Sequence, residues 1–237
     1  MQIVERVVDD SWKVVGHDSH VLTVNLKPGE CLVCEPGAMI SHDQDIEAAV
    51  TIGWGLWDMI VRFFWGGEKI LQDKYVNESF EACQSVTLSV PFPGGKILPV
   101  LMGKITSMII SPGAWLACRG SDVQFDVTLV KSLYSGIFAG RGFVLTNIRG
   151  KSTCFLCGGG TILERTLRNK ESIVVDESSF LACESTVEIR ARRAGSLCTM
   201  LFGGEGAFNC LLTGPGKVYL QSMPHVAAKA KGIKSYK

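Results

Sequence analysis

Apolar and polar residues alternate along much of this chain with a period of two. Val123, Phe125 and Val127 stand between polar neighbours, as do Val187, Ile189 and Ala191, and Ile46, Ala48 and Val50 keep the same spacing with Ala49 among them. Such alternation predicts half-buried strands, because successive side chains of a strand point to opposite faces. Turn signals separate the runs: KPGE from Lys27, EPGA from Glu35, SPGA from Ser111 and RNKE from Arg168. Pro before Gly at Pro28, Pro36, Pro112 and Pro215 predicts type II turns whose glycine takes a positive φ. A helical stripe shows only in GWGLWDMIVRFFW, Gly53 to Trp65, where Trp54, Trp57, Val61 and Phe64 would share a face. The chain is therefore predicted to be all-β.

The alternating runs belong to a longer repeat. Three glycine motifs stand under one another: WGGEKIL from Trp65, FAGRGFV from Phe138 and FGGEGAF from Phe202. Gly66, Gly140 and Gly204 fall in them, and Glu68, Arg141 or Glu205 follows. The separation of the last two, 202 − 138 = 64, also carries Val123, Phe125 and Val127 onto Val187, Ile189 and Ala191. An offset of 141 carries LKPGECLVCEPGAMI from Leu26 onto LRNKESIVVDESSFL from Leu167, and 65 carries SPGAWLAC from Ser111 onto DESSFLAC from Asp176. Across the tryptophan-rich run the first offset falls from 141 to 137, so the first copy carries an insertion there. The expected organisation is an N-terminal extension (1–20), β-repeats at 21–93, 94–158 and 159–224, and a basic tail (225–237). Three tandem sandwich-like repeats with approximate threefold pseudo-symmetry would set Glu68, Arg141 and Glu205 in equivalent corners.

Composition narrows the function. Lys and Arg number 24 against 23 Asp and Glu, and scatter until the tail with Lys229, Lys231, Lys234 and Lys237, which argues against nucleic-acid binding. The N-terminal residues lack an apolar h-region and carry Glu5, Asp9 and Asp10, so neither a secretory nor a mitochondrial presequence is expected. The run from Gly53 to Trp65 is broken by Asp58 and Arg62 and falls short of the ~20 residues of a membrane span. A cytoplasmic protein without a transmembrane segment is the expectation.

Candidate chemistry is sparse. The glycines of LFGGEG, Leu201 to Gly206, suit a phosphate loop only if a helix follows, whereas AFNCLLTGPGKVYLQ reads as a hairpin. Gly66, Gly140 and Gly204 are thus read first as backbone corners, with ligand contact as the alternative. IRGKST from Ile148 lacks the first glycine of a P-loop, since Leu145 stands there. The CxxC pairs Cys31/Cys34 and Cys154/Cys157 sit in strand-like text, where residues three apart face opposite ways, which favours core thiols over zinc. His17 and His20 are read as surface residues rather than metal ligands. Asn77-Glu78-Ser79 is a glycosylation sequon only in a secreted chain. No catalytic, cofactor-binding or metal residue is assigned, and no cofactor is expected.

PGAM from Pro36, PFPGGKILPV from Pro91, SPGAWLA from Ser111 and SLCTMLFGGEGAFNCLLTGPGKVYLQS from Ser196 resemble the mitochondrial-biogenesis family named for altered inheritance of mitochondria. The resemblance spans nearly the whole chain and is most specific in its last block. It implies a fold like the tryptophan RNA-binding attenuation protein, a double-stranded β-helix or sandwich repeated within one chain, and a mitochondrial association. It supplies no catalytic residues, and Arg141 departs from the Glu of the other two motifs.

Two functions stay open: a non-catalytic scaffold or assembly factor that self-associates or presents β-surfaces to protein or membrane partners, and a small-ligand-binding β-barrel or enzyme. Trp54, Trp57, Phe63 and Phe64 are the candidate contacts to a partner or membrane surface, with core closure as their other reading.

Overall fold

The structure is a computed structural model that describes residues 10–52, 71–104, 107–130, 143–193 and 208–224. Among the described residues there is no α-helix, only strands, turns and two short 3-10 turns, so the all-β expectation holds. Strand β1 (Trp12–Val15) leads into three sets of six. The first is β2 (Val21–Leu26), β3 (Cys31–Cys34), β4 (Met39–His42), β5 (Ile46–Ile52), β6 (Leu71–Asn77) and β7 (Gln84–Ser89). The second is β8 (Gly95–Leu101), β9 (Met108–Ile110), β10 (Trp115–Arg119), β11 (Gln124–Val130), β12 (Phe143–Arg149) and β13 (Thr153–Gly159). The third is β14 (Ile162–Leu167), β15 (Ser172–Asp176), β16 (Phe180–Glu184), β17 (Glu188–Arg193), β18 (Phe208–Thr213) and β19 (Gly216–Gln221).

Each set divides its strands between two sheets. The six-stranded sheet β5-β6-β3-β10-β13-β8 joins the outer half of the first set to the inner half of the second. The sheet β11-β12-β9-β16-β19-β14 does the same for the second and third. The remaining strands form β1-β2-β7-β4 and β15-β18-β17. All pairings are antiparallel, and the two seams between sets share one register. Ala117 pairs with Cys34 and Cys118 with Val33 in the first seam; Ala182 pairs with Ile110 and Cys183 with Ile109 in the second. The flanking bonds correspond too: Gly120 N to Cys31 O (2.7 Å) and Glu35 N to Leu116 O (2.8 Å) against Ser185 N to Ser107 O (3.1 Å) and Ser111 N to Leu181 O (2.9 Å). Among the described residues no hydrogen bond joins β15 to β4, the pair that a closed threefold would require.

Three apolar cores lie between these four sheets. The first contains Trp12, Leu22, Leu32 and Val86, together with Ile97, Leu116 and Phe155 from the second set. Trp12 meets Phe155 edge to face, with ring centroids 5.4 Å apart. The N-terminal extension is thus part of the fold through β1. The second core takes Ile162, Leu181 and Tyr219 from the third set, whereas the third core draws on no strand of the first. Strand β13 is buried on both faces: Cys154 and Leu156 enter the second core, Phe155 and Cys157 the first. The expected opposite facing of Cys154 and Cys157 is therefore met inside the protein.

Some readings of the sequence change. The strands flanking the last glycine turn do not form a hairpin, since β18 and β19 enter different sheets, as do β12 and β13. A turn sequence reverses the chain without choosing its hydrogen-bond partners. Gly29, Gly37, Gly113 and Gly216 take the predicted positive φ (76°, 81°, 72° and 144°), and Gly214-Pro215 is a cis peptide. In β5 Ile46 is buried while Val50 is 67% exposed, although Ala191, its counterpart 141 residues later, is 4% exposed. Alternation predicts a strand; it does not supply a layer to cover the apolar face.

Candidate functional site

The sequence-predicted site residues fall in three connections. Trp54, Trp57, Phe63, Phe64, Gly66 and Glu68 lie between β5 and β6, Gly140 and Arg141 between β11 and β12, and Gly204 and Glu205 between β17 and β18. All lie outside the described residues. The strands that carry them are described, and each pair is antiparallel up to the connection: Ile52 faces Leu71, Val130 faces Phe143 and Arg193 faces Phe208.

At the other end of these arms two turns have the same wiring. In Lys27 to Glu30, Glu30 N donates to Lys27 O (2.9 Å), Lys27 N to Glu30 Oε2 (2.9 Å), and Gly29 N to Asn77 O (2.8 Å). In Arg168 to Glu171, Glu171 N donates to Arg168 O (3.0 Å), Arg168 N to Glu171 Oε2 (2.9 Å), and Lys170 N to Gly214 O (3.3 Å). Asn77 and Gly214 are 214 − 77 = 137 apart, the shortened offset expected past the insertion. Arg119 adds an ion pair to Glu30 at 2.6 Å. Burial works upward on the Glu30 carboxyl, yet the Arg119 guanidinium and the Lys27 amide outweigh it and hold the group below its usual range.

Asn77 is an interior strut. It is fully buried, its Nδ2 donates to Leu26 O (2.8 Å) and Ala82 O (2.9 Å), and its Oδ1 accepts from Ser79 N (2.9 Å) and Ser79 Oγ (2.7 Å). No lone amide hydrogen is left for a glycan. His17 is exposed, whereas Nδ1 of His20 accepts from Ile97 N at 3.1 Å, so these two do not form a ligand pair. Among the described residues no three His, Cys, Asp or Glu side chains are grouped as a metal ion would need.

The thiols are set for packing. Cys118 Sγ lies 2.8 Å from Cys154 Sγ across directly paired strands, and Trp115 Nε1 donates to Cys118 Sγ at 3.1 Å. The hydrogen bond to Cys118, with burial, pushes the Cys154 thiol upward. Burial pushes Cys34 and Cys210 up to about 12. A nucleophilic cysteine requires the opposite shift.

The structure adds one feature that sequence reasoning missed. A shallow groove of about 520 Å³ is lined by Gln44, Asp45, Ile46, Glu47, Glu78, Ser79 and Phe80. Phe80 is 98% exposed, and a hydrogen bond with Glu47 raises the Glu78 carboxyl. A lone aromatic in the polar run NESFEA was its only signal in the sequence.

A profile of the family described as mitochondrial biogenesis AIM24 matches residues 12–223. The chain belongs to the AIM24 family. That span runs from β1 through β19, so all three sets of strands fall within the AIM24 match. The crystal structure of protein SPYM3_0169 from Streptococcus pyogenes is similar, with a TM-score of 0.71 over 94% of this chain and 99% of that one. At 20% identity the likeness speaks for the fold alone. No curated protein matches the chain. Among the described residues no helix is long and apolar enough to cross a membrane.

Proposed function

We propose that this AIM24-family protein is a non-catalytic scaffold or assembly factor, cytoplasmic or associated with mitochondria, that presents β-surfaces to protein or membrane partners. The observation that carries this reading is the set of large apolar side chains in solvent at strand edges and turns: Met39 (41% exposed), Ile40 (52%), Val174 (50%) and Phe80 (98%). Covering apolar surface is worth about 25 cal/mol per Å², so each of these side chains gains by being covered. The recurring strand order supports three repeats, near 21–93, 94–158 and 159–224, as the resemblance to the attenuation-protein fold implies. On that reading Glu68, Arg141 and Glu205 stand at equivalent corners beside the glycines Gly66, Gly140 and Gly204.

The test uses vesicles of phosphatidylcholine with phosphatidylserine. Wild type is expected to sediment with them, and Trp54→Ser with Trp57→Ser to reduce sedimentation while keeping the melting temperature. Sedimentation unchanged by the pair, in a protein that melts normally, would falsify the membrane arm of the reading. The second reading, a small-ligand protein, is favoured by the groove beside Phe80. Native mass spectrometry of purified protein decides it: a copurified mass that Phe80→Ser removes supports the ligand reading, and a bare chain opposes it.

A further inference from the structure

We infer that Cys118 and Cys154 are an oxidisable pair: free thiols where the chain folds in a reducing compartment, a buried disulfide where it folds in an oxidising one. They stand directly opposite each other on β10 and β13. Their Sγ atoms are 2.8 Å apart, closer than the about 3.5–4.0 Å at which non-bonded carbon atoms, smaller than sulfur, come to rest. Each side chain therefore already faces the other, as a disulfide requires. Trp115 Nε1 donates to Cys118 Sγ at 3.1 Å, which fixes that side chain towards its partner. A disulfide sulfur keeps its lone pairs, so this contact survives oxidation.

The other two sets show that the fold itself does not call for two cysteines here. The same register, with the same irregularity just before it, sets Cys183 opposite Val218 in the third set and His42 opposite Val86 in the first. Cys118 and Cys154 map onto Cys183 and Val218 at offsets of 183 − 118 = 65 and 218 − 154 = 64. One cysteine against a valine thus satisfies the packing, and of the three positions only the middle one places thiol against thiol. Cys118 and Cys154 are 1% and 0% exposed within the second core. The hydrogen bond with Cys118 and burial also push the Cys154 thiol upward, away from the reactive thiolate. The bond is therefore made before the strands close over it, and the folded protein then shields it from reductants.

The oxidant is a low-molecular-weight disulfide. One protein thiolate attacks a sulfur of the reagent, which forms a mixed disulfide and releases one thiol. The second protein thiolate attacks the protein sulfur of that mixed disulfide, which forms the Sγ–Sγ bond and releases the second thiol. The pair loses two electrons and two protons, and the reagent takes them up as two thiols. The link joins positions 36 residues apart, and such a cross-link removes conformational freedom from the unfolded chain.

The test is to unfold the whole chain in urea and refold it at pH 8 with excess oxidised glutathione or with dithiothreitol, then alkylate and digest it without reduction. Glutathione should yield a linked pair of peptides carrying Cys118 and Cys154, two hydrogens lighter than the separate peptides. The link should resist dithiothreitol until urea is added, and the linked protein should melt several degrees above the one refolded in dithiothreitol. Cys154→Val copies the Cys183–Val218 pairing, so it should fold, form no link and melt alike in both conditions. Should glutathione adducts elsewhere prevent refolding, chain produced in a bacterial periplasm is mapped and melted in the same way. No Cys118–Cys154 link by either route, a link that leaves the melting temperature unchanged, or an oxidant effect that Cys154→Val retains overturns the inference.

Discussion

Lys170 holds the backbone conformation of Gly29. Their φ angles are 64° and 76°, they lie 170 − 29 = 141 residues apart, and each amide donates across to the strand-end turn of its own set. The same turn is thus built once with the residue that accepts a left-handed backbone freely and once with one that accepts it at a cost of about 1 kcal/mol.

Exchanges at these glycines should differ in kind. A side chain at Gly29 would meet nothing within 4 Å, so Gly29→Lys is expected to cost only the conformational penalty, about 1 kcal/mol. A Cβ at Gly159 would stand 1.8 Å from Met223 O, so Gly159→Ala should cost several-fold more or abolish the cooperative melt. Equal losses for the two in thermal denaturation would contradict this account.

Asn77→Ala should destabilise by about 2–4 kcal/mol, because it strips partners from two carbonyls and from Ser79 in the interior. Chemical denaturation measures the loss.

Glu30 supplies a pH dependence of known sign. Its carboxyl is held below the usual 4.5, so its contribution is present above that pH and is lost as pH falls through the depressed value. Glu30→Gln should therefore lower the melting temperature by about 1–3 °C at pH 7, the scale of a partly exposed ion pair, and leave it unchanged near pH 2. A deficit that persists undiminished at pH 2 would mean that the charge is not its source.

Thiol reactivity should follow burial. In a Cys198→Ser background at pH 8, Cys83, which is exposed, should react first with a disulfide reagent. Cys34 and Cys210, held at about 12 by burial, should react only upon unfolding. Rapid native labelling of Cys34 would overturn the packing role assigned to it.

Strand periodicity and turn residues were legible in the chain because both are local. The offsets of 141 and 64 found by lining up text reappear as matched turns and matched strands, and the fall to 137 reappears between Asn77 and Gly214. The candidate corners from Trp54 to Glu205 lie outside the described residues. The groove at Phe80 was not legible in the sequence because its walls come from two segments some thirty residues apart, Gln44 to Glu47 and Glu78 to Phe80.

What the sequence determined by itself is local: short alternating strands, the turns between them, and Cys34, Cys154 and Cys157 as core thiols. These follow from side-chain period and backbone permission, which act over a few residues. What only the tertiary structure decided is how the units share their strands. The two strands around Gly150 go to different sheets, Cys154 and Cys157 serve different cores, and Ile40 stands in solvent while Leu116 and Leu181 are enclosed. The reason is that a strand carries two hydrogen-bonding edges with no sequence code of their own. Partners are chosen by whichever neighbouring strand can be brought alongside, and for β4 and β15 no strand among the described residues fills that place.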